Sequence, residues 1–184
     1  MPLASRRDAT VDDLARVPEH GKAEIVRGEL VSMSPTGAFS GRAASQVYLS
    51  LREYERRTGR GFAIPDNVGM IVDLPHRRSF SPDAAFHRGP LTPRFLDGAP
   101  LLAVEVRSEG DYGSAAEEVL EAKRADYFAA DTLVVWDVDV LEEPSVRVHR
   151  ASDPARPAQY RRGERAEAEP ALPGWSMLVD ELLE

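Results

Sequence analysis

Leu101-Leu102-Ala103-Val104-Glu105-Val106 and, one helical run later, Leu133-Val134-Val135-Trp136-Asp137-Val138 decide how this chain folds. Both runs are short and apolar on successive positions, so each reads as a strand buried on both faces. Between them, from about Ser114 to Ala130, the residues Ala116, Val119, Leu120, Lys123, Tyr127 and Ala130 fall on one helical stripe. Glu117, Glu118, Glu121 and Arg124 take the opposite side, and Ser114-Ala115-Ala116-Glu117 has the form of a capping box. Strand, helix, strand in this order predicts a crossover and a parallel pair. The fold class is therefore α/β, a central mixed sheet flanked by helices.

Working outward, Phe80 to Phe86 reads as a further strand with Pro82 near its start, where a missing amide is tolerable. Phe62 to Ile64 and Val68 to Leu74 are strands around Pro65-Asp66-Asn67. Gly89 to Pro100 is a loop. From Arg42 to about Arg57, Ala44, Val47, Tyr48, Leu51 and Tyr54 mark an apolar helical stripe closed by Thr58-Gly59. Glu24-Ile25-Val26 and Glu29-Leu30-Val31 flank Arg27-Gly28 as a tight hairpin. Thr10-Val11-Asp12-Asp13 resembles a capping box. Downstream, Val146 to His149 and Gln159 to Arg162 close the sheet as an antiparallel ribbon, joined by a proline-rich loop from Ser152 to Pro157. Leu178 to Leu183 is a short helix.

The 184 residues fit one domain, expected to span the chain with its core at about residues 10–183. Ordinary fractions of apolar (42%) and charged (29%) residues argue against disorder of the whole. The absence of cysteine excludes disulfides, thiolate metal sites and cysteine nucleophiles. No apolar run can span a bilayer, and Met1 to Thr10 lacks the stretch of a secretory signal. The chain reads as cytoplasmic. A net charge of −8 argues against a protein that coats nucleic acid, whose binding rests on neutralising phosphates. It leaves room for an acidic metal site beside a local basic patch. Of 23 basic residues only Lys22 and Lys123 are lysine.

Three residues stand out. Glu105 interrupts a buried strand; either an ion pair with Arg107, two positions on, or a bound metal would compensate it. Lys123 lies in the middle of the apolar stripe of its helix. It either snorkels to solvent or is kept because lysine is a compact charge whose pKa can shift. Asp83 follows Pro82 at a strand start, which is also a common turn dipeptide. Taken together they describe a site. Hard cations such as Mg²⁺ or Mn²⁺ take carboxylate oxygens, two such groups on adjacent strands can hold one ion against a phosphate, and a nearby lysine can orient the attacking water. His20, His76, His87 and His149 have no zinc-like spacing. No glycine-rich phosphate loop is present. Trp136 and Trp175 read as core. Arg52, Arg56, Arg57 and Arg60, or His76-Arg77-Arg78, could meet phosphates.

Ser81-Pro82-Asp83, Val104-Glu105-Val106-Arg107-Ser108, Lys123-Arg124-Ala125-Asp126-Tyr127 and Val135-Trp136-Asp137-Val138-Asp139 resemble, in order and spacing, a bacterial Uma-type family of restriction-endonuclease-like proteins in the PD-(D/E)XK nuclease superfamily. The hairpin from Glu24 to Val31 and Leu172-Pro173-Gly174-Trp175 extend the likeness over about Thr10 to Leu183. The resemblance implies a restriction-endonuclease-like core and a Mg²⁺- or Mn²⁺-dependent endonuclease acting on DNA, expected as a homodimer. It makes Asp83 and Glu105 the metal ligands and Lys123 the lysine of the site, supplied from the helix because Arg107 stands where the superfamily places it. Glu24 matches an acidic position that completes the site, while as a residue it also reads as a solvated strand glutamate. Many relatives carry a histidine where this chain has Ser40-Gly41-Arg42. The same residues also admit a nuclease-like module that binds or assembles without turnover.

Overall fold

The structure, a computed structural model, describes residues 7–18 and 21–184; His20 and the first six residues lie outside them. Helix α1 (Val11–Leu14) opens with the expected box, in which Thr10 and Asp13 cap each other. Strands β1 (Ala23–Val26) and β2 (Glu29–Ser32) form the hairpin, with Arg27 and Gly28 both at positive φ, as a tight two-residue turn requires. The long helix α2 (Ala38–Thr58) follows. Then come β3 (Phe62–Ile64), β4 (Met70–Leu74), β5 (Arg77–Phe80), β6 (Ala84–His87), the two-residue β7 (Leu96–Asp97) and β8 (Leu102–Val106). Helix α3 (Ser114–Ala129) leads to β9 (Val134–Asp139), β10 (Ser145–Arg150), β11 (Asp153–Arg161), β12 (Arg165–Glu167), β13 (Ser176–Leu178) and a closing 3₁₀ turn, Val179–Leu183.

The central sheet has six strands in the order β11-β10-β9-β8-β6-β3. It is mixed: β8 and β9 are parallel, as the strand-helix-strand reading requires, and the other pairs are antiparallel. One face packs on α2 and the C-terminal segment through Val47, Leu51, Phe86, Val104, Trp136 and Trp175. The other packs on α3 and on a second sheet, ordered β2-β1-β5-β4-β7, through Tyr127, Val135, Phe80 and Met70. Phe80 stacks on Tyr127 with ring centroids 4.0 Å apart. Trp136 and Trp175 are both core, 4.8 Å apart.

Several expectations change. Phe80 to Phe86 is not one strand. β5 belongs to the five-stranded sheet and β6 to the six-stranded one, and Ser81-Pro82-Asp83 carries the chain between them. Proline, with no amide to give a ladder, marks the break. Helix α2 starts four residues before Arg42; Gly41 is tolerated within it, and buried Ser40 donates to the Arg107 carbonyl at 2.7 Å. Ser114 is no cap: the N-cap is Gly113 without a side-chain bond, and Glu117 turns instead to Arg107. The proline-rich segment after Ser152 is the start of β11, which escapes the usual ban because β11 lies at the sheet edge. The loop from Gly89 to Pro100 contains β7, and the short C-terminal helix forms as a 3₁₀ turn that begins at Val179, with Leu178 ending β13 as its N-cap.

Candidate active site

Asp83 stands immediately before β6, where its amide donates to the Val104 carbonyl at 3.0 Å. This bond aligns it beside Glu105 on the neighbouring strand β8. Asp83 Oδ2 accepts the Val106 amide at 2.7 Å. Glu105 is the single acidic position of β8, and its side chain turns toward α3. There Tyr127 donates its hydroxyl to Glu105 Oε1 at 2.6 Å, and Lys123 Nζ reaches the same carboxylate at 2.9 Å. One helical turn separates Lys123 from Tyr127, so both meet one acceptor.

Glu24, on β1 of the other sheet, is buried and joins the group. Its Oε1 accepts the Ser81 amide at 2.9 Å and lies 3.0 Å from Lys123 Nζ, and its Oε2 lies 2.5 Å from Arg77 Nη1. Lys123 thus bridges Glu24 and Glu105, and the solvated alternative for Glu24 does not hold. Arg77 is itself buried and held from behind by Asp126 at 2.7 Å, so it is not available to phosphates. The four residues singled out from the sequence, Glu24, Asp83, Glu105 and Lys123, converge on one cleft of about 660 Å³, which Val31, Met33, Val119 and Leu120 help to wall. Arg52, Arg56, Arg57 and Arg60 do not line it.

The electrostatics follow from burial and pairing. Burial raises the Glu105 carboxyl above its ordinary value, and the neighbouring charges of Asp83 and Glu24 add to this against the pull of Lys123. Burial also opposes the Glu24 charge, but Lys123 and Arg77 together outweigh that and lower its pKa. Lys123 stays charged: burial opposes its proton, and the two glutamates more than restore it. Tyr127 is held well above the usual phenol range by burial and by the Glu105 charge.

The Glu105–Arg107 pair, one of the two compensations open from the sequence, does not form. Arg107 lies past the end of β8 and forks onto Asp137 with two bonds of 2.8 Å, with Glu117 as second partner. It is buried and takes no part in the carboxylate group.

One residue of the cluster escaped the sequence reading. Lys22 Nζ lies 2.5 Å from Asp83 Oδ1 and 2.7 Å from Asp66 Oδ1. A signal was there, since a chain with 21 arginines keeps both of its lysines for this one cleft.

The mixed α/β fold flanked by helices has counterparts among known proteins. A crystal structure described as "a putative nuclease belonging to DUF820", from Anabaena variabilis, superposes with a TM-score of 0.73 over 95% of this chain and 97% of its own, at 15% identity, so the two share a fold. No curated protein matches the chain. Residues 10–180 match the family model "Uma2: Putative restriction endonuclease", and the chain belongs to that family. Among the described residues no helix is long and apolar enough to cross a membrane.

Proposed function

We propose that the protein is a divalent-metal-dependent endonuclease that hydrolyses DNA phosphodiester bonds, with Asp83 and Glu105 as the residues that hold Mg²⁺ or Mn²⁺. The observation that carries this reading is the convergence of Glu24, Asp83, Glu105 and both lysines of the chain on one cleft, from two sheets and a helix. The donor set fits a hard cation, since it offers carboxylate oxygens with no sulfur or imidazole. Among the described residues no three acidic or histidine side chains are grouped to enclose a metal unaided. Two carboxylates would then act as protein ligands and leave the remaining positions to water and substrate, as Mg²⁺ prefers.

A bound divalent ion lowers the pKa of an attacking water and offsets transition-state charge. The chain's own residues do the rest. Tyr127 fixes one Glu105 oxygen and the Val106 amide fixes one of Asp83, so each carboxylate has a defined orientation. Lys123, held by Glu24 and Glu105, offers an ammonium proton to the water or to a phosphoryl oxygen. Glu24 has both oxygens engaged by protein and holds Lys123 in place. One site per chain cuts one strand, so double-strand cleavage calls for a homodimer.

Every carboxylate of the group is also paired with a lysine or arginine, which favours a second reading as a module without turnover. Supercoiled plasmid and single-stranded DNA, incubated in Mg²⁺ and in Mn²⁺, separate the two. Cleavage by the wild type and none by the Asp83→Ala/Glu105→Ala double variant supports the nuclease. Cleavage by both, or by neither with no metal-dependent rise in melting temperature, rejects it.

A further inference from the structure

Lys22 has no part in the chemistry assigned above, yet it lines the cleft and pairs with Asp83 at 2.5 Å. It stands just before β1, its side chain is largely buried, and its ammonium bridges Asp83 and Asp66. Burial works against the charge, but Asp83 and Glu105 more than compensate, so the amine is held protonated. Asp83 is occupied on both sides, by the Val106 amide at Oδ2 and by Lys22 at Oδ1. Asp66 differs. Its side chain is 42% exposed and is not part of the cleft lining.

We propose that Lys22 is a resident counter-ion of the Asp83 carboxylate, which an incoming divalent cation displaces, with Asp66 retaining the released ammonium. The inference rests on the reading that Asp83 holds the metal. An ammonium and a divalent ion compete for the same oxygen, and the doubly charged ion gains more from the Asp83–Glu105 pair at short range. Lys123 has no need to leave, because Glu24 holds it independently of Glu105. Lys22 therefore keeps two like charges from facing each other while the cleft is empty of metal, and it sets how strongly a cation must bind to enter. A lysine suits this role. Its single-point contact exchanges more readily than the two-bond fork of an arginine.

The test is titration of the full chain with Mn²⁺, read by electron paramagnetic resonance, in wild type, Lys22→Met, Lys22→Arg and Asp83→Asn. Lys22→Met is expected to bind about tenfold more tightly, the equivalent of one charge-assisted hydrogen bond no longer to be broken. Lys22→Arg is expected to bind no more tightly than wild type, and Asp83→Asn to lose the site. A second readout needs no stability from the methionine variant. Protein labelled with ¹³C at the lysine ε-carbons gives two side-chain signals, and Mg²⁺ should move that of Lys22, identified by its loss in Lys22→Arg. Unchanged or weaker Mn²⁺ binding by a folded Lys22→Met, or a Lys22 signal indifferent to Mg²⁺, overturns the counter-ion while leaving the metal site intact. Wild-type affinity in Asp83→Asn, or no binding by any variant, removes Asp83 as a ligand and the inference with it.

Discussion

Glu105 and Asp137 are register partners on the adjacent parallel strands β8 and β9, and their surroundings could hardly differ more. Asp137 is enclosed by arginines: Arg107 forks onto it, Arg147 comes to 3.5 Å and Arg124 to 3.7 Å. Burial disfavours its charge, but the Arg107 bonds overcome this and lower its pKa. Glu105 meets a lysine and a tyrosine, opens on the cleft, and is raised. One row of one sheet thus carries a carboxylate locked by a planar, permanently charged fork and another left exchangeable by a compact ammonium. Where backbone position is shared, the choice of cation separates a carboxylate locked in a fork from one that opens on the cleft.

The comparison can be broken from either side. The largest effect belongs to Asp137→Ala, which strands the buried Arg107 charge beside a half-exposed Glu117. A loss of about 3–5 kcal/mol is expected, read as a melting temperature lower by roughly ten degrees. Next, Lys123→Arg keeps the charge but replaces a point contact between two glutamates with a wider fork. Plasmid cleavage should fall by about tenfold or more at unchanged melting temperature. A fall in stability of the kind expected for Asp137→Ala would instead make Lys123 a structural cation.

Glu105 and Asp137 respond to pH with opposite signs. A raised folded-state pKa means that the Glu105 contribution to stability is complete below the ordinary glutamate value and is lost as pH rises through the raised one. The ionised group therefore weakens the fold at neutral pH. A lowered pKa means that the Asp137 contribution is present above the ordinary aspartate value and is lost as pH falls through the lowered one. Glu105→Gln should accordingly be more stable than wild type at pH 7 by about 0.5–2 kcal/mol, with the advantage vanishing in acid, while cleavage is lost. Thermal unfolding across pH 3–8 measures this, and a destabilised Glu105→Gln at neutral pH would contradict the assigned direction. The smallest effect is that of Arg147→Ala. Its side chain is a third exposed and has no close bond to Asp137, so less than about 1 kcal/mol is expected.

Much of this was legible in the sequence because it is local. The apolar runs of β8 and β9 and the stripe of α3 place Glu105 and Lys123 from periodicity alone, and Pro82 marks the strand start that sets Asp83. What was not legible depends on contacts distant in the chain. Arg107 is two positions from Glu105, but it lies past the strand end and finds Asp137 and Glu117, so the alternation rule no longer governs its side chain. Glu117 fits a capping box by spacing, yet Arg107 claims it. Pro82 marks the break between Phe80 and Phe86, but no residue in that segment announces the second sheet that β5 joins. Lys22 sits at the start of a hairpin with nothing local to mark it, and only its rarity as a lysine hints at a function.

The crossing at Ser81-Pro82-Asp83 has a consequence for how the protein comes into being. Glu24 belongs to one sheet and Glu105 to the other, and Asp83 is aligned by the joint between them. A nascent chain that has formed either sheet alone owns no complete site, and α3, which brings Lys123, is made only after both carboxylate strands. Larger chains pass through partly assembled states, and in this one such states lack the chemistry assigned to the finished fold. On the proposed nuclease reading, the seam withholds cleavage of nucleic acid until both sheets and α3 have come together.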